Sequence, residues 1–127
     1  MVPNPHNYTS LLERWKPIVD RNGWHSHELG QDGGHKIVAF ENEAAKQCST
    51  GGFYLSAGVH GDECAPVWAL LKWAESIEPT SRLNSRPLVI MPCLNPHGFI
   101  QNTRLDSSGT DLNRNFQNAE LPLMGTW

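Results

Sequence analysis

The stretch FYLSAGVHGDECAPVWALLKWAESI (residues 53–77), followed after a polar connector by PLVIMPC (residues 87–93), decides how this chain folds. Phe53 to Val59 is aromatic and apolar and suits a β-strand. From Glu63 to Ile77 the pattern turns helical, with Cys64, Val67, Trp68, Leu71 and Ala74 on one face. Pro66 must fall in the first turn of that helix, so its start lies around residues 63–65. Pro87 to Cys93 is a short continuous apolar run, as expected of a strand buried on both faces. Strand, helix and strand make a βαβ unit with parallel strands and a right-handed crossover. Parallel strands end on one edge of the sheet, and ligands of open α/β sheets bind at that edge. The segments leaving Val59 and Cys93 should therefore meet in space.

Upstream, Leu11, Leu12, Trp15, Ile18 and Val19 recur at helical spacing and predict a helix over Tyr8 to Asn22, kinked at Pro17 and stopped by Gly23. His25 to Leu29 and His35 to Glu41 are strand candidates around the turn signal Gln31-Asp32-Gly33-Gly34, which predicts a hairpin. Glu43 to Gly52 reads as loop. Downstream, Leu94 to Trp127 reads mostly as loop, with a short helical turn near Asn113 to Phe116. The fold class expected is α/β: part of a mixed, mainly parallel sheet flanked by helices. Trp68 and Trp73 fall on different faces of the second helix, which predicts an exposed apolar patch and poor solubility for the 127-residue piece.

A length of 127 residues bounds the chain to one domain or part of one. Ten Lys and Arg against thirteen Asp and Glu give a net charge of −3, with no basic stripe, which disfavours nucleic acid as a partner. No apolar run approaches the roughly 20 residues needed to cross a bilayer, so no membrane partner is expected. Cys48, Cys64 and Cys93 are far apart and odd in number. They read as reduced thiols of a cytoplasmic protein, with Cys64 a core residue of its helix.

The candidate chemistry sits at the expected sheet edge. His60 and Glu63 are three apart across a strand-to-helix turn, where an imidazole nitrogen and a carboxylate can both reach one ion at about 2.0–2.2 Å, a distance that suits zinc. Gly58 and Gly61 let the backbone turn sharply there. The alternative is a plain turn, with Asp62 or Glu63 capping the helix and His60 on the surface. After the second strand come Asn95-Pro96-His97-Gly98-Phe99, then Arg104, then Asp111-Leu112-Asn113-Arg114-Asn115-Phe116. The two arginines offer planar bidentate donors to a substrate carboxylate or an oxyanion. They can equally form structural ion pairs, Arg114 with Asp111 and Arg104 with Asp106. Asn113 can equally be a loop amide.

GVHGDE, then NPHGF, then an arginine, then DLNRNF is an order that resembles the zinc carboxypeptidases and their relatives, including bacterial murein-peptide amidases and the aspartoacylase and succinylglutamate desuccinylase branch. The resemblance covers roughly residues 53–116. It implies that His60 and Glu63 are ligands of one Zn2+. It implies that Arg104 polarises the scissile carbonyl and steadies the oxyanion, and that Asn113 and Arg114 grip a substrate carboxylate. The implied activity is hydrolysis of a C-terminal peptide or amide bond, with a small peptide, murein tripeptide among them, as substrate. The alternatives are a deacylase of N-acyl amino acids, or a non-catalytic carboxylate-binding module using Arg104, Asn113 and Arg114. Asp62 stands where the digestive enzymes have an arginine, which favours the amidase or deacylase branches. The family's third ligand and general base fall beyond DLNRNF, whereas Gln117 to Trp127 hold no histidine and one acid, Glu120. Residues 1–127 are therefore expected to be the N-terminal part of a single catalytic domain. His97 is a candidate surrogate ligand and, alternatively, a turn residue.

Overall fold

A computed structural model describes residues 4–47 and 51–115. Cys48, Phe116 and the segment 117–127 with Glu120 lie outside the described residues. In chain order the elements are α1 (Tyr8–Asn22), β1 (His25–Asp32), β2 (His35–Glu41), α2 (Glu43–Gln47), β3 (Phe53–Ser56), α3 (Ala65–Ala74), β4 (Leu88–Met91) and α4 (Pro96–Gln101), with single 3-10 turns at Arg82–Ser85 and Leu112–Arg114.

α1 forms where the spacing predicts it. Asn7 caps its start by accepting from the Ser10 amide at 3.0 Å, and Gly23, at φ 66°, ends it in the left-handed region. Leu11, Trp15, Ile18 and Val19 form its buried stripe, and Trp15 packs on Phe40 of β2 with ring centroids 5.3 Å apart. Each such side chain contributes roughly 1.5–3 kcal/mol of burial free energy. Pro17 lies inside the helix.

The sheet is mixed, in the order β1-β2-β4-β3. β3 and β4 pair in parallel, Phe53 opposite Leu88 and Ser56 opposite Met91, as the βαβ reading requires. The other two pairings, β1 with β2 and β2 with β4, are antiparallel. β4 is one of the two inner strands and buries Leu88 and Ile90. β3 is an edge strand, and it leaves Phe53 52% and Tyr54 58% exposed. α3 buries Val67, Leu71 and Ala74. Trp73 is 38% exposed, so the two tryptophans of that helix do differ in surroundings, Trp68 packing against the core. Cys64 is half-buried beside the core and Cys93 is buried; both are free thiols.

Two stretches expected as loop are helical. The segment after Glu41 is helical over Glu43–Gln47, because Asn42 caps it by accepting from the Ala45 amide at 2.9 Å. The segment after β4 is helical over Pro96–Gln101, capped by Asn95, which accepts from the Gly98 amide at 2.9 Å. Among the described residues no helix is long and apolar enough to cross a membrane.

Candidate metal centre

The exits of β3 and β4 lock together, as the parallel pairing demands. The Leu94 amide donates to the Ala57 carbonyl at 2.8 Å, and the Asn95 side chain donates to the Val59 carbonyl at 3.3 Å and to the Arg104 carbonyl at 3.4 Å. Asn95 is fully buried, so these contacts supply partners that water cannot. Gly61 lies directly on Gly98: a Cβ built at Gly61 would fall 1.9 Å from the Gly98 carbonyl carbon. The two loops touch through bare backbone. This joint sets where residues 60–63 stand relative to residues 104–114.

On it His60 and Glu63 face each other, with Nδ1 2.8 Å from the Glu63 carboxylate. Glu63 does not cap α3; its carboxylate turns back to the imidazole, and the capping position, Cys64, makes no side-chain cap bond. Nε2 of His60 lies 3.0 Å from Oδ1 of Asp111, whose Oδ2 accepts from Nε of Arg104 at 2.9 Å. The expected structural pairs are thus not those formed. Arg104 pairs with Asp111 and not Asp106, because Asp106 is turned into its own loop to accept from the Ser108 and Thr110 amides at 3.0 and 2.8 Å. Arg114 donates instead to the Asn113 carbonyl at 3.2 Å.

The charges order themselves accordingly. Glu63 first and Asp111 second raise the His60 pKa above its ordinary value, against desolvation and the nearby Arg104. Asp111 loses water, which pushes its carboxyl up, but the bonds from Arg104, His60 and the Asn113 amide overcome this and bring it down to about 2. The sequence alone suggests Asp111 only as a partner of Arg114. The signal for a larger role was available: a metal-ligating histidine needs an acceptor on its other nitrogen.

A cavity of about 310 Å3 opens beside this cluster, walled by Ser56 to His60, Glu63, Pro66 and Asn113. His97 sits elsewhere, against the β1–β2 turn, where a Cβ at Gly33 would come within 2.5 Å of its Nδ1. The donor chemistry fits two positions of a zinc site: Nδ1 of His60 and the Glu63 carboxylate converge, and Asp111 holds the far nitrogen in the orientation a ligating imidazole needs. Among the described residues no group of three or more His, Cys, Asp or Glu side chains is arranged to hold a metal ion.

The fold is that of the zinc carboxypeptidase class. A Shewanella amazonensis structure designated a candidate metallopeptidase superposes with TM-score 0.73 at 26% identity, over 84% of this chain and 40% of that one. A candidate carboxypeptidase A from Shewanella denitrificans gives 0.75 at 20% identity, over 91% and 33%. A metallo-carboxypeptidase from Burkholderia cenocepacia gives 0.70 at 18%, over 89% and 34%. The chain thus spans 33–40% of the length of these three structures. A comparison with curated proteins gave no match. The model of the succinylglutamate desuccinylase/aspartoacylase catalytic domain matches residues 49–122, and the chain belongs to that family.

Proposed function

We propose that this chain carries half of the active site of a zinc-dependent amide hydrolase whose substrate bears a free carboxylate. The observation that carries the reading is the His60 imidazole held between Glu63 and Asp111, at the mouth of a cavity and at the carboxyl edge of a parallel strand pair. His60, through Nδ1, and Glu63 are the zinc ligands. Held by these two residues, zinc would supply a lowered water pKa and polarisation of the substrate carbonyl.

Arg104 uses Nε on Asp111, which leaves its terminal amino groups for the developing oxyanion. Asn113, on the cavity wall, and Arg114 beside it hold the substrate carboxylate. The third ligand and the general base come from outside the described residues, and residues 1–127 form the N-terminal part of one catalytic domain.

Two substrate classes suit this arrangement. The metallopeptidase likeness supports a C-terminal peptide or amide bond. The family match supports an N-acyl amino acid, and Asp62 is compatible with either class. Purified full-length protein should release free amine from N-acyl amino acids or from short peptides, lose that activity to a chelator and regain it with zinc. Zinc-loaded protein that hydrolyses neither class would overturn the proposal.

A further inference from the structure

The tip of the β1–β2 hairpin reaches the loop that carries Asp111. Asp32, the last residue of β1, accepts from the Ser107 amide at 3.2 Å and from the Ser107 hydroxyl, across 75 positions of sequence. Next to it Gly33, at φ +58°, lies against His97 of α4: a Cβ there would fall 2.5 Å from Nδ1 of the ring, which would have to shift to admit it. The hairpin tip therefore rests on α4 and grips the 106–110 turn at the same time.

That turn is stiff in itself. Oδ1 of Asp106 accepts from the Ser108 amide, the Ser108 hydroxyl and the Thr110 amide, at 3.0, 2.8 and 2.8 Å, and the Asp106 amide donates to the Thr110 carbonyl at 3.0 Å. A turn closed on itself moves as a unit, and it leads directly into Asp111. Whatever fixes the turn fixes the carboxylate that holds Nε2 of His60 and Nε of Arg104.

We propose that Asp32 is a positioning residue for the metal centre: from the hairpin tip it holds the 106–110 turn where Asp111 reaches His60. The proposal rests on the zinc reading above for its consequence. It also explains why the tip is built of Asp-Gly-Gly, an acceptor followed by a residue with no side chain to push His97 and the turn away.

The test uses the purified full-length protein and two readouts. The first is the zinc dissociation constant by chelator competition. Replacing a residue that orients a ligand typically weakens metal binding about 10- to 100-fold. Asp32 acts one step further out, so Asp32→Ala should weaken zinc by up to about 10-fold, and Ser107→Ala should act in the same direction. Ser107→Thr, which keeps the hydroxyl, should restore most of the loss. Adding Asp32→Ala to Asp111→Ala should weaken zinc no further, because the route through Asp111 is already cut. The second readout, amide hydrogen exchange of residues 106–111 in metal-free protein, should be faster in Asp32→Ala, with the α1 and β4 amides unchanged.

Unchanged zinc affinity with unchanged exchange would overturn the proposal, as would losses that add in the double variant. If the wild-type protein binds no zinc, the zinc reading fails by itself, and the exchange measurement alone decides whether Asp32 holds the turn.

Discussion

His60 stands between two carboxylates, and most of what the site can do follows from that residue. In the metal-free chain both neighbours favour the imidazolium, so its folded pKa lies above the ordinary 6.5. The stabilisation from this trio is fully present below that ordinary value and is lost as pH rises through the raised one. The thermal midpoint of metal-free protein should therefore fall as pH rises above the ordinary 6.5, and His60→Gln should flatten that fall. Zinc must displace the Nδ1 proton, so zinc affinity should rise with that same increase in pH. Asp111→Ala should weaken zinc binding by roughly 10- to 100-fold while leaving both ligands in place. Arg104→Ala should lower kcat by roughly 10²- to 10³-fold with zinc content unchanged, as the loss of an oxyanion donor does. At this scale the spacing of His60 and Glu63 allows a shared ion, and it is the order GVHGDE, NPHGF, Arg104, DLNRNF that singles them out as candidates. Neither reveals Asp111 as their partner, because a contact across 51 positions depends on where a loop returns.

Elements bring those residues together through two devices: the Gly61–Gly98 contact and the Asn95 side chain. A methyl at Gly61 would overlap backbone, and backbone has no rotamer with which to yield. Gly61→Ala should destabilise by roughly 1–3 kcal/mol or more, read as a lowered denaturation midpoint, and should loosen the site even where the chain folds. Asn95→Ala leaves the Val59 and Arg104 carbonyls and the Gly98 amide without a partner in a buried place, and should cost about 1–3 kcal/mol per group left unsatisfied, damped by relaxation. The long, periodic elements were legible: α1 has the expected limits, and the βαβ unit pairs as read. The short ones were not. α4 has six residues, one of them Gly98, and exists because Asn95 and Pro96 start it at the edge of a packed sheet. β1 runs on to Asp32 without the alternation that marks a strand, since both of its faces are largely exposed and pairing with β2 alone defines it. β3 stops at Ser56, because Gly58 at φ 81° turns the chain away to begin the His60 loop.

Taken whole, the molecule is well packed between α1, α3, α4 and β4 and open along β3. Phe53 and Tyr54 stand exposed on an edge strand whose only partner among the described residues is β4. Exposed aromatic edges template further pairing. The 127-residue chain should therefore self-associate as its concentration rises, and Phe53→Lys with Tyr54→Lys should shift it toward monomer in sedimentation velocity. Unchanged association in that variant would move the sticky surface elsewhere, with Trp73 the next to change. The same strand borders the cavity through Ser56, so the open edge runs up to the face that carries the candidate centre. The central claim, that this face holds zinc through His60 and Glu63, is tested most directly by the metal content of full-length protein after dialysis against trace zinc. One zinc per wild-type chain is expected, with none retained by His60→Ala or Glu63→Ala variants that still fold. Zinc held at full stoichiometry by either variant, or absent from the wild type, would contradict it.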